Sequence, residues 1–366
     1  MLVKGKYNEA KVFVDELDQD CYQQIKKLCN QPFLKDAKIR VMPDVHVGKG
    51  STIGTTMTIT NKVVPNLVGV DIGCGLIVVK IQDRVIDYKK LDKVIKENIP
   101  SGFSIRESNH VKGDNIDLSK LKCSHSVDLQ RGYLSLGTLG GGNHFIEVNE
   151  GDHFQKYLVI HSGSRHLGLQ VATYYQQTAQ TYAKEHNIDV DQDLAYLEGT
   201  QMQDYLHDMK LIQQFASLNR EIMADIIISK MKWTVIDVFQ TIHNYIDINQ
   251  MILRKGAISA MEDELFILPL NMRDGSYLCK GKGNSEWNYS APHGAGRRMS
   301  RTQAKKQLRL SDYQSAMTGI YSSMVSHHTL DEAPMAYKDG STILSQIGPT
   351  AKVVEKLRVL YNFKSK

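Results

Sequence analysis

The chain has 366 residues, 42% hydrophobic and 23% charged, with 45 basic and 40 acidic side chains and a formal net charge of +5. That length can bury a large core as one big domain or two to three smaller ones, and the near balance of charge requires any anion-binding surface to be local. Five scattered cysteines exclude a secreted disulfide framework, the first six residues lack an apolar signal core, and Pro65, Asn66 and Asp71 interrupt the most apolar stretch, which excludes a membrane span.

A reduced, cytoplasmic protein is therefore expected. Taken in order, apolar spacing near the helical period predicts a helix over 17–29. Residues 38–42 read as a short strand running into a turn over 43–50 that carries Asp44, His46 and Lys49. The Thr- and Ile-rich stretch 51–60 predicts a second strand. Two strand-like runs, 67–70 and 76–81, are joined by Asp71-Ile72-Gly73-Cys74-Gly75, and 88–97 is expected to be helical. The polar stretch 101–128 has no clear period and reads as a mobile loop.

Glycine concentrates at 137–142, ahead of Asn143, His144 and the strand-like Phe145-Ile146-Glu147-Val148. A buried-looking strand at 157–160 ends in His161-Ser162-Gly163-Ser164-Arg165. Residues 165–232 read as mainly helical, with Tyr205, Met209, Ile212, Ala216, Met223 and Ile226 on one core-facing side. Residues 235–241 suit a strand or a helix, 264–270 and 276–279 look extended, and 352–363 closes the chain. Without a repeat or an obvious linker, the expectation is one domain over 1–366, with residues 1–37 as its lead-in.

The chemistry-bearing residues lie between these elements. Asp71 and Cys74 are three apart on a Gly-rich connector, while His144, His161 and His243 each follow a strand or sit at a turn. Such a mixed oxygen, sulfur and nitrogen set suits a divalent transition metal, and a thiolate can bridge two ions; a plain structural zinc site would be more uniform. Taken singly, a histidine at a strand end is more often a satisfied hydrogen-bonding residue, and spacing alone leaves zinc, cobalt and manganese open. His293 lies between Pro292 and Gly294-Ala295-Gly296, whose glycines permit close approach by a phosphate. Arg297, Arg298, Arg301, Lys305, Lys306 and Arg309 follow it. That imidazole could serve as a nucleophile toward phosphorus, an acid/base or a metal ligand, or be a plain loop histidine ahead of a basic helix.

Seven blocks occur in a fixed order: Met42-Pro43-Asp44-Val45-His46, Gly69-Val70-Asp71-Ile72-Gly73-Cys74-Gly75, Gly140-Gly141-Gly142-Asn143-His144-Phe145, His161-Ser162-Gly163-Ser164-Arg165, His243-Asn244, Arg254-Lys255-Gly256-Ala257 and His293-Gly294-Ala295-Gly296-Arg297. The series resembles the RtcB family of GTP-dependent RNA ligases over nearly the whole chain. The resemblance implies an α+β fold of mixed sheets around two manganese ions, with Asp71, Cys74, His144, His161 and His243 as ligands. It implies His293 as the residue that takes GMP from GTP, with Asp44 nearby. Asn143, Phe145, Glu147, Asn244, Asn271, Met272, Gly294, Ala295, Gly296, Tyr337 and Lys364 would hold the guanylate. His46, Arg165, Lys255, Arg297, Arg298 and Arg301 would face RNA.

The family joins an RNA 3′-phosphate, or a 2′,3′-cyclic phosphate opened first, to a 5′-hydroxyl. A metal-dependent phosphoesterase that only opens cyclic phosphates, or an RNA-end binding module, would use the same residue types. Two features depart from the family. Pro269-Leu270-Asn271-Met272-Arg273-Asp274-Gly275 stands where members usually carry Pro-Gly-Ser-Met-Gly, near the nucleotide, which points to altered guanylate affinity or preference. The chain is also shorter than many members, consistent with trimmed substrate loops in a side branch acting in RNA repair. Any helper protein and the particular RNA are not named by the sequence.

Overall fold

In the computed structural model, which describes residues 1–365, two large sheets share one crossover. The seven-stranded sheet runs in the order Val235–Ile242, Gly75–Ile81, Lys156–Ser162, Phe145–Glu150, Ala351–Lys364, Gly275–Gly281, Leu265–Asn271, antiparallel throughout. The six-stranded sheet runs Leu2–Lys4, Glu9–Val12, Ile39–His46, Ile53–Thr58, Ile252–Lys255, Asn244–Asp247, with one parallel pair. His243 is the single residue between Val235–Ile242, an edge strand of the first sheet, and Asn244–Asp247, an edge strand of the second. Helices and sheets mix along the chain, so the fold is α+β, as expected.

Side chains of a strand alternate between faces, and here both faces are apolar for different reasons. Ile77, Val79, Ile146, Val148, Leu158 and Ile160 pack against the Tyr88–Asn98 helix and the C-terminal half of the Gly199–Met231 helix. Leu76, Val78, Phe145, Tyr157 and Val159 point the other way, onto Ile267 and Leu357 of the same curled sheet. His161 and Glu147 share the parity of Val159 and Phe145, and therefore open onto this second face.

Several sequence expectations change. The strand predicted at 38–42 continues through Pro43 and Asp44 to His46, so those residues are strand rather than turn. Residues 67–70 are no strand: Pro65–Leu67 forms a short 3-10 turn, as a proline that fixes its own φ favours at a helix start. Residues 235–241 resolve to a strand, Val235–Ile242. The stretch 101–128 is a set of short turns pinned to the core rather than a mobile loop. Leu118, Leu121 and Cys123 are buried, and the Asp208 carboxylate accepts from the backbone N–H groups of Lys122 (2.7 Å) and Cys123 (3.0 Å). That anchor lies on the long helix, far along the chain, where local periodicity cannot register it.

Among the described residues no helix is long and apolar enough to cross a membrane. The Gly199–Met231 helix carries, besides its apolar side, three fully buried polar residues: Asp208, Asn219 and Arg220. Asn219 ties the Thr138 backbone to Gly163, and Arg220 Nη1 donates to the carbonyls of Gly73 and Ser162, both at 2.8 Å. One guanidinium thus clamps the Asp71–Cys74 connector to the end of the His161 strand. Replacing it leaves buried carbonyls without a donor, at about 1–3 kcal/mol each. Arg220→Met is expected to lower stability by roughly 2–5 kcal/mol in urea unfolding, and to weaken divalent-metal binding in the folded protein.

Candidate active site

Register, more than sequence distance, assembles the site. Gly75 pairs with both Ser162 and Ile242, and Phe145 pairs with His161, so Cys74, His144, His161 and His243 emerge together at one end of four strands. Cys74 Sγ lies 3.3 Å from His161 Nε2 and 3.5 Å from His144 Nε2. His144 Nε2 is 3.0 Å from Asp71 Oδ2, and His161 Nε2 is 3.4 Å from His243 Nε2. The Asp71 carboxylate is fixed from behind by the Ser164 N–H at 2.9 Å. All five expected ligands are thus brought together.

This arrangement fits a bound cation. His144 Nδ1 donates to the Leu139 carbonyl (2.9 Å) and His161 Nδ1 to the Asn143 carbonyl (3.1 Å), which turns each Nε2 toward the cluster. Burial, with His144 adding to it, holds His161 well below the usual histidine range; burial, with His293 adding to it, does the same for His243. Neutral imidazoles offer lone pairs, and lone pairs crowded at these spacings call for a shared positive centre. The buried His243 Nδ1 has no hydrogen-bond partner among the described residues. Burial and the Asp71 carboxylate push the Cys74 thiol well up, so a thiolate here requires a cation beside it. Cys74, His144 and His161 have donor atoms that all lie within 4.8 Å of one another.

Beside the cluster stands His293, its ring centroid 4.9 Å from that of His243. It follows directly on the Ser290–Pro292 strand, which pairs with Ala257–Ser259. The fully buried Asp44 carboxylate accepts from His293 Nδ1 at 2.6 Å and from its backbone N–H at 3.1 Å. Gly296 has φ +74, and a Cβ there would meet the Asp44 backbone oxygen at 2.6 Å. Glycine at that position lets the histidine loop lie against the Asp44 strand, a use different from the phosphate approach read in the sequence. His293 Nε2 has no hydrogen-bond partner among the described residues.

A cavity of about 380 Å³ opens over this imidazole. His161, His243 and His293 line its metal side, and Gly294, Ala295 and Gly296 continue the wall. Asn143, Phe145, Glu147 and Lys364 come from the sheet face; Asn271 and Met272 come from the hairpin between Leu265–Asn271 and Gly275–Gly281. Burial pushes the Glu147 carboxyl up to about 7, although Asn362 (2.7 Å) and Asn149 (3.3 Å) donate to it. Sequence reasoning missed Glu332, which gathers Tyr337 OH (2.6 Å), Lys364 Nζ, Arg297 Nη1 (3.2 Å) and Arg301 Nη1 around one buried carboxylate. Burial would raise its pKa, but Lys364 and Arg301 hold it down to about 2. A lone Glu in a polar 3-10 turn gives no sequence signal for such a role.

Other expected residues lie elsewhere. Asn244 is off the cavity wall, donating to the Asp71 carbonyl and accepting from the Gly256 N–H. Lys255 is buried, its Nζ directed inward to the Lys49 and Asn66 carbonyls, and burial lowers its pKa to about 7. Arg297 and Arg301 line the cavity but are paired with acids, while the Arg298 side chain is exposed on a neighbouring groove. His46 reaches the cavity and is kept below the ordinary histidine range by burial. Arg165 stands behind His144, its Nη1 3.4 Å from His144 Nδ1, and opens onto a second cleft.

A donor cluster that could hold a cation, next to a carboxylate-oriented imidazole under a cavity walled by cations, suits a metal-dependent enzyme. Comparison with known proteins gives the family. The family described as tRNA-splicing ligase RtcB matches residues 24–127 and 110–365. The RNA-splicing ligase RtcB of Escherichia coli K12 is 33% identical, over 93% of this chain and 93% of its own length. The tRNA-splicing ligases RtcB of Archaeoglobus fulgidus (29% identical, 98% of this chain and 94% of theirs) and Methanococcus maripaludis (27%, 93% and 90%) are also similar. The chain belongs to the RtcB family, and it is an RNA ligase.

Cobalt(II) titrated into the metal-free protein is expected to give a sulfur-to-cobalt charge-transfer band. Cys74→Ala should abolish that band while leaving some cobalt bound through the histidines. A band that persists in the variant would place the thiolate ligand elsewhere.

Proposed function

We propose that this ligase accepts GMP from GTP on His293 and uses it to activate an RNA 3′-phosphate for joining to a 5′-hydroxyl. The observation that carries the reading is the 2.6 Å contact between Asp44 Oδ2 and His293 Nδ1. It keeps the proton on Nδ1 and leaves the Nε2 lone pair available, and the charge that grows on the ring during attack is met by a buried carboxylate. Nε2 would form a bond to the α-phosphorus of GTP as the bond to pyrophosphate breaks. An oxygen of the RNA 3′-phosphate would then displace the imidazole, giving an anhydride. The 5′-hydroxyl would attack that RNA phosphorus, losing its proton as GMP leaves. Such activation is needed because a phosphate monoester is itself a poor electrophile.

Asp71, Cys74, His144, His161 and His243 would hold two divalent ions, manganese in this reading, whose charge would offset that of the gathered phosphates. Within the cavity Glu147 would accept from the N1–H and N2–H of a guanine, while Asn143, Phe145, Tyr337 and Lys364 would hold the rest of the guanylate. RNA ends bearing a 3′-phosphate or a 2′,3′-cyclic phosphate would be the substrates, in RNA repair or tRNA splicing. A reducing cytoplasm suits five buried, unpaired cysteines.

Incubation with labelled GTP and manganese is expected to leave a covalent guanylate that His293→Ala removes entirely. Asp44→Asn should slow labelling by about 10²-fold or more through loss of the oriented tautomer. Labelling that survives in His293→Ala would assign the nucleophile to another residue. Glu147 gives a pH signature. Because the fold raises this acid to about 7, it is largely neutral below that pH and anionic above it. Without nucleotide, that shift favours the native state most at low pH and is lost as pH rises toward 7. Guanine binding needs the anion, so GTP affinity should increase with pH through about 7, and Glu147→Gln should flatten the profile.

A further inference from the structure

Beside the His144 end of the metal cluster lies a cleft of about 440 Å³, lined by Phe103, Arg131, Arg165, His166 and Leu169. Phe103 is 98% exposed, the most exposed large apolar side chain among the described residues, yet the backbone carrying it is fixed. Ser101 bridges Gly140, the Gly102 N–H donates to the Gly140 carbonyl at 2.9 Å, and Arg106 is bonded to the Leu136 and Gly137 carbonyls. The ring is thus held at a fixed position on the rim of the cleft.

Charge marks what meets that ring. The Arg131 guanidinium has no hydrogen-bond or ion-pair partner among the described residues, and Arg165 Nε is buried without one. Arg165 spans the space between cleft and metal cluster, with Nη1 3.4 Å from His144 Nδ1 and Nη2 3.4 Å from the Gly102 carbonyl. It adopts φ 57, and a Cβ on Gly140 would overlap its guanidinium, so the Gly140 backbone is shaped to admit it. A ring for a base and two arginines for a phosphate, joined to the catalytic centre by one of those arginines, are the parts of a single-strand nucleotide site.

We propose that Phe103 is the stacking platform for the last base of the RNA strand that carries the 3′-phosphate. The assignment rests on the reading of the protein as a ligase of such ends. A terminal phosphate at Arg165 puts its own base about one sugar away, toward Phe103. A 5′-hydroxyl end brings no terminal dianion to Arg131 and Arg165 and fits the cleft less well. Because any base has a π face, the platform would tolerate all four.

The test uses the full-length protein, without GTP, and a short RNA ending in 2-aminopurine with a 3′-phosphate. Binding should quench the fluorophore. Phe103→Ala should abolish the quenching and weaken Kd roughly 5- to 150-fold. Phe103→Trp should restore both, and Phe103→Leu should restore neither. Binding by the Leu variant equal to wild type would overturn stacking, leaving only apolar contact. An equal loss for a probe with a 5′-hydroxyl and an unphosphorylated 3′ end would overturn the strand assignment. Labelling of His293 by GTP, measured alongside, reports the nucleotide chemistry separately: its failure would strike that reading and leave the quenching result standing.

Discussion

The antiparallel pairing around Gly75 is the constraint on which the site depends. With Ser162 on one side and Ile242 on the other, the Gly75–Ile81 strand sets where its neighbours end. Donors more than 160 residues apart therefore arrive at one edge of one sheet. A slip of one residue in the pairing with Ser162 would turn His161 to the opposite face and away from Cys74, and a slip in the pairing with Ile242 would displace His243. Arg220 guards that register from the helix layer by holding the carbonyls of Gly73 and Ser162 together. The buried guanidinium is thus a structural cost accepted for a positional gain, with its own pKa lowered to about 10 by burial.

The same sheet separates scaffold from chemistry by parity. Ile146 and Val148 of the Phe145–Glu150 strand feed the helix-covered core, and Phe145 and Glu147 feed the cavity. Phe145 belongs to both worlds, packing with Leu76 and Val159 while its ring lies 5.3 Å from that of His161. Cavity and metal cluster consequently share a wall, and His293 stands at their junction, held from the other sheet by Asp44.

Much of this was legible in the residues. The ordered blocks single out the side chains that the fold brings together, His293 among them, and the strands at 76–81, 145–148 and 157–160 follow from their apolar runs. Three kinds of feature were not. The Pro43–His46 stretch reads locally as a turn because it holds a proline and polar side chains, but it spans an irregularity between the Val41–Thr55 and His46–Ile53 pairs and so stays part of the strand. The 101–128 segment looks unstructured because its anchors, Asp208 above all, come from elsewhere in the chain. Glu332 and Asn219 sit in ordinary local contexts and acquire meaning only from what folds around them. Lys255 shows the converse: a cation in a recognisable block whose charge is directed inward to backbone carbonyls.

The grouping of Tyr337, Lys364, Arg297 and Arg301 on Glu332, with Asp331 beside Arg301, bears on selectivity. Three cations matched against two carboxylates leave the pocket only mildly positive, so bulk chloride or inorganic phosphate gains little by entering. Donors already locked in place lose little freedom when a guest arrives, and one that presents acceptors in the right pattern is favoured over one that merely carries charge. Discrimination at this wall is then a matter of shape and hydrogen-bond direction, and it should persist at ionic strengths that would erase a looser electrostatic trap.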